Sequence, residues 1–256
     1  MRSDRRDQQR PAAAPARGLI TWRRSAGGGR HVRVSLTPCS DVSAAAWITS
    51  SDLPWQQLLT FGPSGFDAYA RLRFLPDPVY AGQSEVEIDD DAPTEHELLR
   101  TTLEVLRQHT RDPDDCYFCL WEGWGSEIYG GDGLRIVDFG DRSTRPGPRM
   151  APAFPPSVLN GPKVVIPHRA YFLFHGSLSE FGDWGASAEL APGWPRYQMP
   201  DPAFVWPADH AWCIANDVDP HYAGIGADSM AIDQLLAHPG LDIVPADPRI
   251  DQPHYG

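Results

Sequence analysis

The sequence predicts an α+β domain in which a mixed, mainly antiparallel sheet packs against a few helices. Its 256 residues are 41% apolar and 11% aromatic, which is enough for a sizeable core. Period-two and helical hydrophobic patterns both occur, but they do not alternate regularly as they do in βαβ folds. We therefore expect a single main domain at residues 41–250, with an extension at 1–40 and a tail at 251–256.

Charge is distributed unevenly along the chain. The first 33 residues carry nine Arg and two Asp, a net charge of +7, whereas the remainder carries 13 basic and 32 acidic residues, a net charge of −19. We expect residues 1–40 to be a flexible basic extension. An acidic domain repels nucleic acid and anionic lipid and favours a cationic protein partner. Nucleic acid is therefore expected to bind only through residues 1–33, and no membrane partner is expected.

The first half of the domain contains two helix signals with a strand signal between them. Asp52 as N-cap and Pro54 in the first turn predict the start of a short helix. Apolar and polar residues then alternate over 66–74, which is the pattern of a half-buried strand. Thr94 and Glu97 have the spacing of a capping box and predict a second helix with a leucine stripe.

The centre of the chain combines a strongly apolar segment with a long irregular one. The aromatic run at 116–121 is the best candidate for a central strand that is buried on both faces. Residues 123–162 are rich in Gly, Pro and charge and exceed a normal connection, so we expect a long loop or an insertion. Two further strands are predicted at 164–166 and 170–174, with a Pro-His corner between them.

In the last third of the chain, the residues that begin and end the elements are easier to recognise. Residues 211–218 predict a strand, the Gly-Ile-Gly sequence at 224–226 predicts a turn, and residues 230–236 predict a helix. Pro and Gly then stop the helix, and residues 241–244 predict a last short strand.

The four cysteines do not indicate a disulfide framework, so we expect reduced thiols and a cytoplasmic protein. The N-terminus lacks the apolar segment of a secretory signal, and no apolar run reaches the roughly 18 residues of a membrane span. Cys116 and Cys119 have the spacing of redox and zinc motifs, but residues three apart in a strand point to opposite faces. We therefore expect both to be core thiols.

The most site-like cluster places Asp217, Asp219 and His221 at alternate positions where a strand ends. Two carboxylates and an imidazole on one face could hold a divalent metal, and His221 is a candidate catalytic residue. The competing interpretation is that Asp219 only ends the strand and that His221 packs or faces solvent. We predict no cofactor, with a divalent metal at this cluster as the alternative.

Two other candidates for chemistry are weaker in sequence. Gly224 and Gly226 follow a strand and precede a helix, so a small anion could bind there, although a tight turn explains the glycines better. Glu122 lies between Trp121 and Trp124, where desolvation would raise the pKa of its carboxyl towards that of a general acid or base.

Aromatic residues near Pro-rich sequence indicate a binding surface, because tryptophan is enriched where proteins bind one another. The candidates are Trp121, Trp124, Trp206, Asp209 and His210. The alternative is that the tryptophans anchor the core and the loops.

Several runs resemble a family of uncharacterised proteins from high-GC Gram-positive bacteria. They are Leu-Pro-Trp at 53–55 with 66–78, Asp-Asp-Cys-Tyr-Phe-Cys-Leu-Trp-Glu-Gly at 114–123, and Phe-Val-Trp-Pro-Ala-Asp-His at 204–210 with Ile-Gly at 225–226. The resemblance covers about residues 41–250. It implies no activity, substrate or catalytic residue, and it suggests that the first 40 residues are a variable extension or a misplaced start.

From the sequence we expect a non-enzymatic, intracellular binding module whose acidic, tryptophan-bearing surface engages another protein, in the manner of an immunity or antitoxin protein. The motivation is the charge of −19 beyond residue 33 together with the lack of any clear enzyme motif. The alternative is a metal-assisted hydrolase or small-ligand enzyme that uses Asp217, Asp219 and His221, with Glu122 as acid or base.

Overall fold

The computed structural model describes residues 35–88, 93–132, 135–138, 143–196 and 198–256. The strands are β1 Thr37–Pro38, β2 Ala68–Arg73, β3 Cys116–Trp121, β4 Arg135–Asp138, β5 Ser143–Pro146, β6 Val164–Ile166, β7 Arg169–Gly176, β8 Glu189–Ala191, β9 Trp194–Pro195, β10 Phe204–Pro207, β11 Trp212–Ala215, β12 Tyr222–Ala227 and β13 Ile243–Pro245. The α-helices are α1 Ala46–Thr49, α2 Trp55–Phe61, α3 Glu95–Leu106, α4 Ser126–Tyr129, α5 Pro156–Leu159 and α6 Ser229–Leu236. Short 3₁₀ turns cover Ser43–Ala45, Glu85–Glu87, Arg107–His109, Glu122–Trp124 and Leu178–Glu180.

Nine of the described strands form a single sheet in which every pairing is antiparallel. Its order is β1-β7-β3-β10-β11-β12-β2-β13, and β6 pairs with the first residues of β7. The pairs β4–β5 and β8–β9 form separate two-stranded hairpins. The predicted α+β class with a mainly antiparallel sheet is confirmed.

Helices cover both faces of the sheet, so its central strands are buried on both sides. One core contains residues of α3 and α6, and the other contains residues of α1 and α2. Strand β3 shows the alternation directly, because Cys116 and Phe118 belong to the first core and Cys119 to the second. The expected central strand and its core thiols are therefore confirmed. Burial raises the pKa of the Cys116 thiol to about 12.

Local sequence patterns predicted several elements correctly. The capping box of α3 is present, since Thr94 Oγ1 accepts from the Glu97 backbone N–H and the Glu97 carboxylate accepts from the Thr94 backbone N–H. The corner between β6 and β7 is a two-residue hairpin turn in which His168 has φ +65°. The N-cap of α2, however, is Pro54 without a side-chain hydrogen bond, so the assignment of Asp52 as its cap was wrong.

The Gly-Ile-Gly sequence at 224–226 is the clearest error in the predicted elements. These residues lie inside β12, paired with β11 on one side and β2 on the other. A Cβ atom at Gly224 would lie 1.9 Å from the Thr60 carbonyl oxygen of α2, and one at Gly226 would lie 2.3 Å from the Phe66 ring. The glycines therefore allow α2 and Phe66 to lie directly on the strand, and no turn forms.

The domain begins before residue 41. Leu36 is buried in the first core, and β1 pairs with β7 at the edge of the sheet. The predicted basic extension therefore extends too far into the folded domain, and its first 33 residues lie outside the described part of the chain. Within the stretch at 123–162 the structure shows α4, α5 and the β4–β5 hairpin, and none of these strands joins the main sheet.

None of the helices in the described part of the chain has both the length and the apolar character needed to cross a bilayer.

Candidate functional site

A cavity of about 440 Å³ opens at one edge of the sheet, where β3 and β11 end and β10 begins. Because neighbouring antiparallel strands bring the end of one strand to the start of the next, residues far apart in sequence meet there. The lining residues, hereafter the acidic cleft, are Glu95, Trp121, Trp124, Glu127, Gln198, Met199, Pro200, Asp201, Ala203, Asn216, Asp217, Val218 and Pro220. Four of them are carboxylates, and none of the described lining residues is basic.

One of the four carboxylates is neutralised by an arginine. Arg169, the first residue of β7, donates from Nε and Nη2 to the two oxygens of Asp217 at 3.2 and 3.1 Å, and Nη2 also donates to Asp219 at 3.0 Å. The guanidinium lies over the Trp121 ring at 4.9 Å from its centroid. Asp217 is buried while Asp219 is exposed, so the bond to Asp217 is the stronger constraint.

The other carboxylates of the cleft lack a bidentate arginine, although His96 contacts Asp201 and the charge of Arg196 acts on Glu127. Desolvation raises the pKa of Asp201, and this effect outweighs the opposing contact with His96, whose Nδ1 lies 2.6 Å from Asp201 Oδ1. Desolvation also raises the pKa of Glu95, assisted by the neighbouring charges of Asp201 and Glu85. Within the described residues, neither Glu95 nor Glu127 forms an ion pair. The cleft thus holds negative charge that a bound cation would stabilise.

The two tryptophans of the cleft are held by their neighbours. Trp121 and Trp124 meet edge to face, with ring centroids 5.9 Å apart. Any Cβ atom at Gly123 would lie 2.1 Å from the Trp121 indole, so only glycine fits between them without moving the ring. Trp121 is therefore confined between the Gly123 backbone and the Arg169 guanidinium.

Glu122 does not belong to the cleft. Its carboxylate accepts from the Tyr129 hydroxyl and lies 2.9 Å from Lys163 Nζ. Desolvation alone would raise the pKa of Glu122, but these two contacts outweigh it and the pKa is lowered. The expectation of a raised pKa between two indoles was wrong, because Lys163 lies within contact distance.

The predicted cluster of Asp217, Asp219 and His221 is divided between two networks. The aspartates bond to Arg169, whereas His221 Nε2 lies 3.1 Å from Asp77 Oδ1. The strand β11 ends at Ala215, so the alternation that would place the three side chains on one face does not extend to them. Within the described residues, no group of three or more His, Cys, Asp or Glu side chains is placed to hold a metal ion.

The candidates at 206–210 lie at the opposite edge of the sheet. Trp206 is fully buried and stacks on Tyr117, so it is a core residue and cannot contact a partner. Asp209 accepts hydrogen bonds from Thr110 Oγ1 and from the backbone N–H groups of residues 111 and 211, which fixes a turn. His210 has φ +54° and stacks on Trp47 at 4.0 Å.

The anion site at Gly224 and Gly226 rested on the predicted turn. Both glycines are in a strand that is paired on both sides, and Asp228 caps helix α6 by accepting from the Ala231 backbone N–H at 2.7 Å. The N-terminus of α6 is thus already capped by the Asp228 carboxylate.

Sequence reasoning missed Glu95, Glu127, Asp201 and Asn216. In the sequence, Glu95 is recognisable only as an acidic residue in the first turn of a helix. Asp201 is recognisable only as part of a Pro-rich connector. No local pattern links them to Trp121, since the order of the strands alone brings them together.

Comparison of the chain with protein-family profiles, with curated proteins and with solved structures finds no match. The resemblance to a family of uncharacterised proteins from high-GC Gram-positive bacteria stays a prediction.

Proposed function

We propose that this protein is a binding module for a positively charged protein partner, and that the acidic cleft receives a basic side chain of that partner. The observation that carries the proposal is the combination of Glu95, Glu127 and Asp201 with Trp124 in a cavity of about 440 Å³. None of the described lining residues is basic, and the basic residues that border the cleft are Arg196, whose charge acts on Glu127, and His96, which contacts Asp201.

Carboxylates beside an indole are the groups that recognise a guanidinium or an ammonium, through charge-assisted hydrogen bonds and attraction to the ring face. The chain contains an internal example of the same chemistry. Arg169 bonds to Asp217 with two nitrogens while its guanidinium lies over Trp121. We infer that an external arginine would use Glu95 and Glu127 in a similar way.

The charge of the whole domain supports the same partner. Beyond residue 33 the chain carries a net charge of −19, which would accelerate the encounter with a cationic protein and disfavour nucleic acid. A module of this kind would neutralise a basic partner as an immunity or antitoxin protein does. A cytoplasmic setting is part of the proposal, since all four cysteines are free thiols.

The hydrolase alternative loses its geometric basis. Asp217 and Asp219 are bonded to Arg169, and His221 is bonded to Asp77, so the residues on which it depended are engaged in separate networks.

The proposal is tested by titrating the protein with N-acetyl-arginine amide and following the indole N–H signals by NMR. We expect the signals of Trp121 and Trp124 to shift with a dissociation constant of about 1–10 mM. The neutral N-acetyl-norleucine amide should produce no such shift, because it lacks the guanidinium.

The matched variants are Glu95→Gln with Asp201→Asn, and Asp233→Asn on the exposed side of α6 as control. The double variant should weaken arginine binding at least fivefold, and the control should leave it unchanged. Equal binding by both variants, or no shift of either indole signal in the wild type, would contradict the proposal.

A further inference from the structure

A second cavity, of about 630 Å³, lies next to the acidic cleft. Its walls are the polar side of α2, the residues at 219–222 and the segment at 248–255. It contains the carboxylates of Glu85, Asp219 and Asp251. Arg249 is the only arginine or lysine among its described lining residues, and its guanidinium is paired with Asp247 at 2.8 Å.

Both cavities lie along the same edge of the sheet. The acidic cleft covers the end of β3, the start of β10 and the end of β11, and the second cavity covers the start of β12. Pro220 lines both of them, so the loop at 217–220 is their common wall. The carboxylate of Glu85, in the second cavity, lies near enough to Glu95 in the first to raise its pKa.

Two exposed apolar side chains line this pair of cavities, and three more lie on the loop that supplies Glu85. Val218 lines the acidic cleft, Ile250 lines the second cavity, and Val86 follows Glu85 with 90% of its surface exposed. Val79 and Tyr80 are exposed on the same loop. That loop contacts the C-terminal segment, since the Tyr255 hydroxyl donates to the Pro76 carbonyl and the Gly256 N–H to the Gln83 carbonyl.

These five residues are half of the large hydrophobic side chains that are exposed among the described residues. Apolar side chains scattered singly over a surface need no explanation, whereas a concentration beside a cavity marks a surface that binds protein. A ligand consisting of a single cation would use the carboxylates but not the apolar side chains. A polypeptide segment would use both.

We propose that the acidic cleft and the second cavity form one groove that binds an extended segment of the partner, with basic side chains in both cavities and an apolar side chain between them. This inference rests on the proposed function, which requires only the first cavity. The charge of the groove selects the occupant, because seven carboxylates line it and only Asp217 and Asp219 are paired with Arg169. Anchors in two linked cavities bind more tightly than a single anchor, because the second contact is intramolecular.

The test compares two probes in calorimetric titrations of the full chain. The first is N-acetyl-arginine amide, and the second is the blocked hexapeptide Arg-Ala-Leu-Ala-Arg-Ala, which places an apolar residue between two arginines. We expect the hexapeptide to bind at least about tenfold more tightly than the single arginine. A blocked hexapeptide with Ala in place of the second Arg should lose most of that gain.

Two exposed residues of the second cavity supply the variants, Glu85→Gln and Ile250→Ser. Each should weaken the hexapeptide at least threefold, and Ile250→Ser should leave the affinity for N-acetyl-arginine amide unchanged. Asp233→Asn, outside both cavities, should change neither affinity.

The outcomes separate the two proposals. Binding of the single arginine, together with hexapeptide affinity that neither variant changes, would overturn the groove and leave the proposed function standing. Failure of both probes to bind would overturn both proposals. Hexapeptide binding that is lost in Glu85→Gln and retained in Glu95→Gln with Asp201→Asn would place the anchor in the second cavity alone and overturn both proposals.

Discussion

Asp77 shows how single residues fix the ends of the strands next to the proposed groove. Its two oxygens accept from Arg71 at 2.6 and 2.9 Å and from Arg73 at 3.1 Å, and His221 Nε2 lies 3.1 Å from Oδ1. Hydrogen bonds from Arg71 are the main reason why the pKa of Asp77 is well below its usual range. The Arg71 side chain is only 6% exposed, so this carboxylate supplies the counter-charge that water cannot. The network ties β2 to the start of β12.

Replacing Asp77 by Asn should destabilise the protein by about 3 kcal/mol, because the buried Arg71 guanidinium then lacks a counter-charge. Urea unfolding followed by fluorescence measures this change. Asp247→Asn removes the ion pair to Arg249 at 2.8 Å, but that pair is exposed, and the midpoint should not move. Equal midpoints for the wild type and Asp77→Asn would show that the network is not needed for stability.

The pKa of Asp77 also sets the sign of a pH effect on stability. A carboxyl whose pKa is lower in the folded state stabilises it above the unfolded-state pKa of about 4. That contribution is lost as the pH falls through the lower folded-state pKa. We expect the difference in unfolding free energy between the wild type and Asp77→Asn to shrink progressively below about pH 4.

Glu95 and Asp201 have pKa values shifted in the opposite direction. Their protonation therefore begins at a higher pH than that of an ordinary carboxyl. Binding of a cation needs their charged forms, so the affinity for N-acetyl-arginine amide should decline as the pH falls, starting above the range in which Asp77 titrates. The decline should be smaller in Glu95→Gln with Asp201→Asn, and a pH-independent affinity in the wild type would contradict the role assigned to these carboxylates.

Among the elements, the contact between α2 and β12 determines one wall of the second cavity. Thr60 and Phe61 of α2 line that cavity, and the Thr60 carbonyl lies directly over Gly224. The helix can approach the strand this closely only because the strand has no side chain there. A larger residue at this position would push the helix away from the sheet.

Gly224→Ala should therefore destabilise the protein by about 1–3 kcal/mol, the cost expected of overpacking a close contact. Gly240→Ala is the matched control, since its Cβ atom would meet nothing nearer than 3.4 Å, and we expect little change. Thermal unfolding of both variants measures the difference. Equal stability of the two variants would show that α2 can move away from β12 at little cost.

Elements that are specified by neighbouring residues in the sequence were predictable. Features that depend on contacts between distant parts of the chain were not. The Thr94 capping box and the alternation in β3 are local, and both are present. Gly224 was interpreted as a turn residue because glycine usually marks turns, whereas its cause is the helix packed upon it. Strand β11 ends at Ala215, so the predicted alternation does not extend to Asp217, Asp219 and His221.

At the scale of the whole molecule, both described cavities open at one edge of the sheet. The strand order brings together the end of β3, the start of β10, the end of β11 and the start of β12. Both cavities open along that edge. Glu95, Trp121 and Asp201 are separated by many residues in the chain, so the acidic cleft could not be predicted without the topology. The net charge beyond residue 33 agrees in sign with the carboxylates that line the cleft.

The most direct test of the central claim is a crystal structure of the protein with N-acetyl-arginine amide. The account predicts a guanidinium in the acidic cleft, within hydrogen-bonding distance of Glu95 or Glu127 and against Trp124. A guanidinium bound elsewhere on the protein, with the acidic cleft occupied by water alone, would contradict it.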